Sequence, residues 1–223
     1  TVNALTAVSF TGLDAEYCED IEEVLLTGNQ APSGEFVGNG VIDLGNGTAI
    51  FNPSIMGVGG PFEIMYSYTD ALGCYNFEIQ TVLVNEVVAV DFTGLESEYC
   101  IDAPNSVLVG SQAPEGTFFG LGITDNGNGT ATFNPSLAGE GGPFDIVYEF
   151  NSASSCFSQM THQTIVNPLP TVYFTGLEDA NCLGDDPQVL TGNHAPGGMF
   201  AGPGIVDNGD GTATFDPNIV GLG

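Results

Sequence analysis

The sequence predicts an all-β fold made of small tandem modules, and three observations carry that reading. Short β-rich runs between turn residues dominate the chain, and helical periodicity is missing. A set of framework strings returns every 82 residues with no insertion. The cysteines keep the same period.

The repeat is plain in the residues. Phe10-Thr11-Gly12-Leu13 returns as Phe92-Thr93-Gly94-Leu95 and as Phe174-Thr175-Gly176-Leu177. Phe51-Asn52-Pro53 returns as Phe133-Asn134-Pro135 and as Phe215-Asp216-Pro217. Ala31-Pro32 and Gly47-Thr48 recur in the same way. The expected organisation is the end of a preceding repeat at 1–6, complete repeats at 7–88 and 89–170, and a truncated repeat at 171–223. The last lacks the region matching Pro61 to Val84, so the natural chain is expected to continue.

Within the first repeat, strands are expected near 7–10, 22–27, 34–38, 40–43, 47–51, 61–69 and 74–84. Phe62-Glu63-Ile64-Met65-Tyr66-Ser67-Tyr68 alternates as a strand with one buried and one wet face does. Phe77-Glu78-Ile79-Gln80-Thr81-Val82 alternates likewise, and the short connection ending in Gly73-Cys74 makes the two a hairpin. Gly45-Asn46-Gly47 marks another tight turn, since Asn-Gly readily takes positive φ. About seven strands in each module, with turns at regular intervals, is the pattern of an immunoglobulin-like β-sandwich. The chain has no tryptophan, so the Cys-Trp-Cys signature of antibody domains is missing.

Cys18, Cys100 and Cys182 are equivalent in the repeat, as are Cys74 and Cys156. The expected bridges lie within a repeat, Cys18–Cys74 and Cys100–Cys156, each tying a loop to the last hairpin. The partner of Cys182 is then expected outside the window, at about position 238. Free buried thiols and metal ligation are the rival readings, although ligation normally brings closely spaced Cys or His pairs. A small module has a marginal core, and a bridge would add to it. Short links such as Asn85-Glu86-Val87-Val88-Ala89 and the proline-stiffened Asn167-Pro168-Leu169-Pro170 point to a semi-rigid rod.

The composition excludes several functions. There is no Lys or Arg against 28 Asp plus Glu, so the formal net charge is −28. Only His162 and His194 remain to form side-chain ion pairs. Nucleic acid is excluded as a partner, because its affinity rests on cationic contacts. Anionic membrane surfaces are repelled, and no apolar run is long enough for direct membrane insertion. No Ser or Cys nucleophile recurs beside a His, so no catalytic site is expected and the chain is read as a non-enzyme.

Asp207-Asn208-Gly209-Asp210-Gly211 and the counterparts starting at Asp43 and Asp125 admit two readings. One is a glycine-rich hairpin turn, which is the expectation. The other is a calcium loop with Asp43, Asp125, Asp207 and Asp210 as ligands, which would need carboxylates from another loop. The glycines at 38, 40, 45 and 47 make no phosphate cradle, since neither a following helix nor a lysine is present.

Phe118-Phe119-Gly120-Leu121-Gly122 followed by Asp125-Asn126-Gly127-Asn128-Gly129-Thr130-Ala131-Thr132-Phe133-Asn134-Pro135, and Tyr66-Ser67-Tyr68-Thr69-Asp70-Ala71-Leu72-Gly73-Cys74, resemble Ig-like repeats of giant cell-surface proteins of Bacteroidota, including gliding-motility adhesins of the SprB type. The resemblance implies type IX secretion, a place on the outer cell surface outside the cell, and a stalk or filament of an adhesin serving attachment or gliding motility. Neighbouring repeats are the expected partners, with surface polysaccharide or other surface ligands beyond them. A carbohydrate- or protein-binding module, or a spacer in a multidomain secreted enzyme, are the alternatives. The second repeat departs from the motif, with Ser152-Ala153-Ser154-Ser155-Cys156 in place of the Asp-x-x-Gly-Cys turn, which puts a general role for Asp70 in doubt.

Overall fold

The computed structural model describes residues 4–220, so residues 1–3 of the expected preceding repeat lie outside the described part. The first sandwich runs in order through β1 (Phe10–Thr11), β2 (Glu16–Cys18), β3 (Val24–Gly28), β4 (Glu35–Gly38), β5 (Val41–Asp43), β6 (Thr48–Phe51), α1 (Pro53–Met56), β7 (Gly59–Thr69) and β8 (Tyr75–Asn85). One sheet has the order β1-β3-β6-β5 and the other β2-β8-β7-β4. All pairs are antiparallel except β2 with β8, which is parallel. Strands β1, β3, β6 and β5 occupy the places of A, B, E and D in an immunoglobulin sandwich, and β4, β7 and β8 those of C, F and G.

The second sandwich repeats this arrangement with β9 (Phe92–Thr93), β10 (Glu98–Cys100), β11 (Ser106–Gly110), β12 (Thr117–Phe119), β13 (Ile123–Asp125), β14 (Thr130–Phe133), α2 (Pro135–Ala138), β15 (Gly141–Asn151) and β16 (Phe157–Asn167). Its sheets have the orders β13-β14-β11-β9 and β10-β16-β15-β12. The chain divides into two compact units, Thr1–Asn167 and Pro168–Gly223. The second unit holds a single described sheet, β17 (Phe174–Thr175), β18 (Gln188–Gly192), β20 (Thr212–Phe215) and β19 (Ile205–Asp207), followed by α3 (Pro217–Val220).

The framework strings are now explained by what their side chains touch. In Phe51-Asn52-Pro53, Phe51 is fully buried between the sheets. Asn52 caps α1, its Oδ1 accepting from the Ser54 N–H at 3.0 Å, and Pro53 opens the turn where no N–H is required. In Gly45-Asn46-Gly47-Thr48, Asn46 Oδ1 accepts from the Thr48 N–H at 3.0 Å and from its hydroxyl at 2.6 Å, while the two glycines hold φ of 70° and 76°. This locks the hairpin between β5 and β6.

Phe10, Leu26, Ala49 and Phe51 from one sheet meet Tyr17, Phe36, Ile64, Tyr66 and Val82 from the other, forming the first core. Each large apolar side chain buried there contributes about 1.5–3 kcal/mol. No disulfide crosses this core; aromatic rings fill it instead. Phe36 and Tyr66 lie 4.5 Å apart, and Phe10 meets Phe36 edge-on at 5.3 Å. Tyr66 passes so close to the backbone of Gly28 and Gly34 that a Cβ at either position would run into its ring. Tyr148 stands in the same relation to Gly110 and Gly116.

Seven of the expected strands lie close to where the sequence placed them, but β2 and β10 were not anticipated. Cys18, expected in a loop, ends β2, with Glu16, Tyr17 and Cys18 opposite Leu83, Val84 and Asn85. Strand β7 begins at Gly59, with a register shift between Gly59 and Phe62 that accommodates Pro61.

Two outcomes test this packing. Gly28→Ala and Gly110→Ala should each destabilise their own sandwich by about 1–3 kcal/mol through overpacking, measured by chemical denaturation. Burial raises the pKa of Tyr66 and of Tyr148 above the usual tyrosine range. Their neutral forms therefore favour folding fully below the unfolded tyrosine value, and that contribution is lost as pH rises through the raised folded value. Denaturation midpoints should fall on alkaline titration in step with tyrosinate absorbance, and Tyr66→Phe should move that fall to higher pH.

Candidate functional site: the covalent joint between two sandwiches

Because β8 runs from Tyr75 to Asn85, the two cysteines of one repeat stand at opposite poles of the sandwich. Cys74 sits just before β8 at the hairpin tip, whereas Cys18 lies beside Asn85 at the other end. Ten residue steps of strand put about 33 Å between these places, and a disulfide needs Cα atoms within roughly 7 Å. The same span separates Cys100, opposite Asn167, from Cys156 before Phe157. Neither expected bridge, Cys18–Cys74 or Cys100–Cys156, is formed, and their geometry forbids both.

The bridge that forms joins the two sandwiches. Cys18 is bonded to Cys156 with Cα atoms 5.6 Å apart at a sequence separation of 138. Cys74, Cys100 and Cys182 carry free thiols in the described structure. The equal spacing of 56 residues within each repeat reflects the periodicity of the fold, not the pairing.

Each side of this joint is held by its own hydrogen bonds. At the far pole of the first sandwich, the Glu19 N–H donates to Asn85 O at 3.0 Å and the Ile21 N–H to Cys18 O at 3.1 Å. Asn85 Nδ2 donates to Glu16 Oε2 at 3.1 Å. The linker is fastened as well, since the Val87 N–H donates to Glu19 Oε1 at 3.0 Å. On the facing pole of the second sandwich, the Ser152 N–H donates to Cys156 O at 3.0 Å, and the Cys156 N–H donates to Ser152 Oγ at 3.1 Å. Cys156 is 1% exposed. Asp14, Tyr17, Ile21, Asn85, Ser154 and Ser155 line the crevice around the bridge.

Asp70 explains why the turn motif can vary. Its Oδ1 accepts from the N–H groups of Leu72 and Cys74, both at 2.9 Å, as Ser152 Oγ does for Cys156. Gly73 holds φ 81°, and Ser155 holds φ 61° in its place. The two turns thus present a cysteine in the same way through different side chains. Hydrogen bonds from the Cys74 N–H above all hold the Asp70 carboxyl below the ordinary aspartate range.

The carboxylates weighed as calcium ligands serve their own hairpins. Asp43, Asp125 and Asp207 each accept from the N–H two residues on, at Gly45, Gly127 and Gly209. Asp210 Oδ1 accepts from the Thr212 N–H at 3.0 Å and from its hydroxyl, the role that neutral Asn46 and Asn128 play elsewhere. Its carboxyl is held below the usual range by the Thr212 hydroxyl foremost. Among the described residues no three His, Cys, Asp or Glu side chains cluster as a metal site. His162 Nε2 lies 3.0 Å from Asp91 Oδ1, an ion pair whenever the imidazole is protonated, and the His194 ring contacts Thr171 O at 3.0 Å. Tyr17 and Tyr99 are core residues packed on Phe51 and Phe133.

No protein-family model matches the chain, and no curated protein is similar to it in sequence. Among solved structures it is similar to a Ca2+-stabilized adhesin with which an Antarctic bacterium binds ice, at 14% identity and a TM-score of 0.40, over 97% of this chain and 66% of that one. It is also similar to murine CEACAM1b, at 10% identity and a TM-score of 0.36, over 72% of this chain and all of the other. A Bacteroides ovatus glucan-utilization protein, SGBP-B, follows at 13% identity and a TM-score of 0.26, over 95% of this chain and 61% of that one. The chain thus spans slightly under two thirds of the ice-binding adhesin structure.

The joint yields two expectations. Cys156→Ser should lower the stability of the oxidised chain, by at most about 5 kcal/mol in the chain-entropy model for so long a loop. Cys74→Ser and Cys100→Ser should leave it unchanged in denaturant titrations, whereas pairing within repeats would make all three variants costly. The lowered Asp70 carboxyl stabilises the hairpin fully above the unfolded aspartate value, and that contribution is lost as pH falls through the lower folded value. Amide exchange at Cys74 should accelerate over that acid range, and Asp70→Ala should accelerate it already at neutral pH.

Proposed function

We propose that this chain is a segment of the stalk or filament of a large secreted cell-surface adhesin, serving surface attachment or gliding motility, with no catalytic role. One observation carries the reading: successive sandwiches are joined covalently at their poles by Cys18–Cys156. A bond placed there does little for either core and fixes one module on the next. That is the property a projecting, load-bearing array requires, and disulfides of this kind persist in oxidising, extracellular compartments. The absence of lysine and arginine fits an exposed location, because it removes every trypsin-like cleavage site. Its net charge of −28 also keeps neighbouring chains apart.

A second reading, a binding module, is favoured by one face of the first sandwich. Val37, Tyr75, Phe77 and Ile79 are exposed on the outside of the β2-β8-β7-β4 sheet, with the Tyr75 and Phe77 rings 5.9 Å apart. Such a row could take a carbohydrate ring or an apolar protein surface. On the corresponding face of the second sandwich Phe119 and Phe157 are exposed where Val37 and Tyr75 stand, but Gln159 and Thr161 replace Phe77 and Ile79, so only part of the row recurs.

Deleting the gene should cost the cells surface attachment or movement, and unchanged behaviour would reject the adhesin reading. Pulling single chains by their ends should give a shorter total extension when oxidised. The 138-residue span within the bridge should release about 450–500 Å of extra contour on reduction. Phe77→Ser should leave both results unchanged if the stalk reading holds, and abolish attachment if the exposed row is the adhesive surface.

A further inference from the structure

We propose that Cys74 and Cys100 are the two open halves of the same inter-sandwich staple. Cys100 takes, as a disulfide, the hairpin cysteine of a following sandwich of this kind. Cys74 takes the strand-end cysteine of a preceding one. The array is then cross-linked in a stagger, each sandwich bonded to both neighbours and never to itself. This rests on the Cys18–Cys156 joint and not on the adhesin reading, so it stands or falls separately from the cell assays.

The bonded pair shows what each position is built to receive, and the free cysteines reproduce the hydrogen bonds around its two cysteines, though Ile101 cannot repeat the Glu19 bond to the linker. Around Cys100, the Ile101 N–H donates to Asn167 O at 2.9 Å and the Ala103 N–H to Cys100 O at 3.0 Å, as Glu19 and Ile21 do around Cys18. Asn167 Nδ2 donates to Glu98 Oε2 at 3.2 Å, as Asn85 does to Glu16. Strand β10 lies parallel to the end of β16 in the register that β2 keeps with β8. Cys100 is therefore presented at its pole as Cys18 is, and it is exposed.

Cys74 reproduces the other side. The Asp70 N–H donates to Cys74 O at 3.0 Å, as Ser152 does to Cys156 O, and the Gly73 N–H donates to Asp70 O at 2.9 Å, as Ser155 does to Ser152 O. The segment entering the first sandwich is fastened to this pole, with Asn76 Nδ2 donating to Thr6 O at 2.8 Å. The strand that β2 pairs with in the first sandwich has its counterpart beyond Gly223 in the third repeat, where the Cys182 N–H donates to Asp185 Oδ2 and Asn181 stands in the place of Tyr17. Shifted by one repeat, the Cys18–Cys156 stagger makes the cysteine expected at about position 238 the partner of Cys100, not of Cys182.

Formation is an ordinary thiol–disulfide exchange. The Cys100 thiolate attacks a disulfide-class oxidant, a protein disulfide oxidoreductase or glutathione disulfide, giving a mixed disulfide and one released thiol. The hairpin thiolate then displaces the second thiol. Two cysteine thiols lose two protons and two electrons, and the oxidant's disulfide becomes two thiols.

The test extends the 223-residue chain by a copy of residues 142–167 placed after Gly223, which supplies the third sandwich with the hairpin that β15 and β16 form in the second. After oxidation, alkylation and digestion at acidic residues, Cys100 should be protected and linked to the appended cysteine. In the unextended chain Cys100 should be alkylated, and Cys182 should be alkylated in both. A folded extended chain with alkylated Cys100, or with the appended cysteine bonded to Cys182, would overturn the proposal. The full-length protein from its own cells provides the second measurement. Cys74 and Cys100 should appear there in peptides joined to adjoining repeats, and free thiols or small-thiol adducts at both would equally overturn it.

Discussion

The length of the last hairpin governs this molecule. Eleven-residue strands carry the chain from one pole of a sandwich to the other, and the two cysteines of each repeat lie at the two ends of that run. A covalent bond reaches a few ångströms, and the hairpin spans several times that. The cysteines are therefore unable to staple their own module, and the bond falls between modules. The cores rest on aromatic packing, with Tyr66 and Tyr148 seated over paired glycines, and the disulfide is left to set one sandwich on the next.

A second constraint is the lack of cationic side chains. Carboxylates that would pair with lysine or arginine elsewhere accept hydrogen bonds from backbone N–H groups and side-chain amides. Asp70 holds the hairpin tip, Glu19 the linker and Asp125 its own turn, while Glu16, Glu98 and Asp145 take amide donors from Asn85, Asn167 and Gln163. Most of these interactions are local in sequence or close a strand end, so each module organises its charges without help from its neighbours. The exchange of Asp70 for Ser152 and of Asn46 for Asp210 shows that acceptor geometry matters at these turns more than charge.

Much of the fold was legible in the residues. Alternation identified β7 and β8 and Gly-Asn-Gly marked a hairpin turn, whereas Phe-Asn-Pro was legible only as a recurring string, and its core ring and capped turn came from the structure. Strand β2 was not legible from propensity, because three residues between turn formers make a weak pattern; the recurrence of Glu16-Tyr17-Cys18 as Glu98-Tyr99-Cys100 was the available signal. The pairing of cysteines was hidden for a different reason. In a strict repeat, a partner in the same module and the equivalent partner in the next have the same periodicity, so spacing cannot separate them. Only the strand order, which puts Cys18 beside Asn85, decides it.

The central claim is that the covalent link crosses from one sandwich to the next. It is tested most directly by digesting the oxidised, unreduced 223-residue chain at its acidic residues and weighing the disulfide-linked peptides. The account predicts one linked pair carrying Cys18 and Cys156. Linked peptides carrying Cys18 with Cys74, or Cys100 with Cys156, would contradict it.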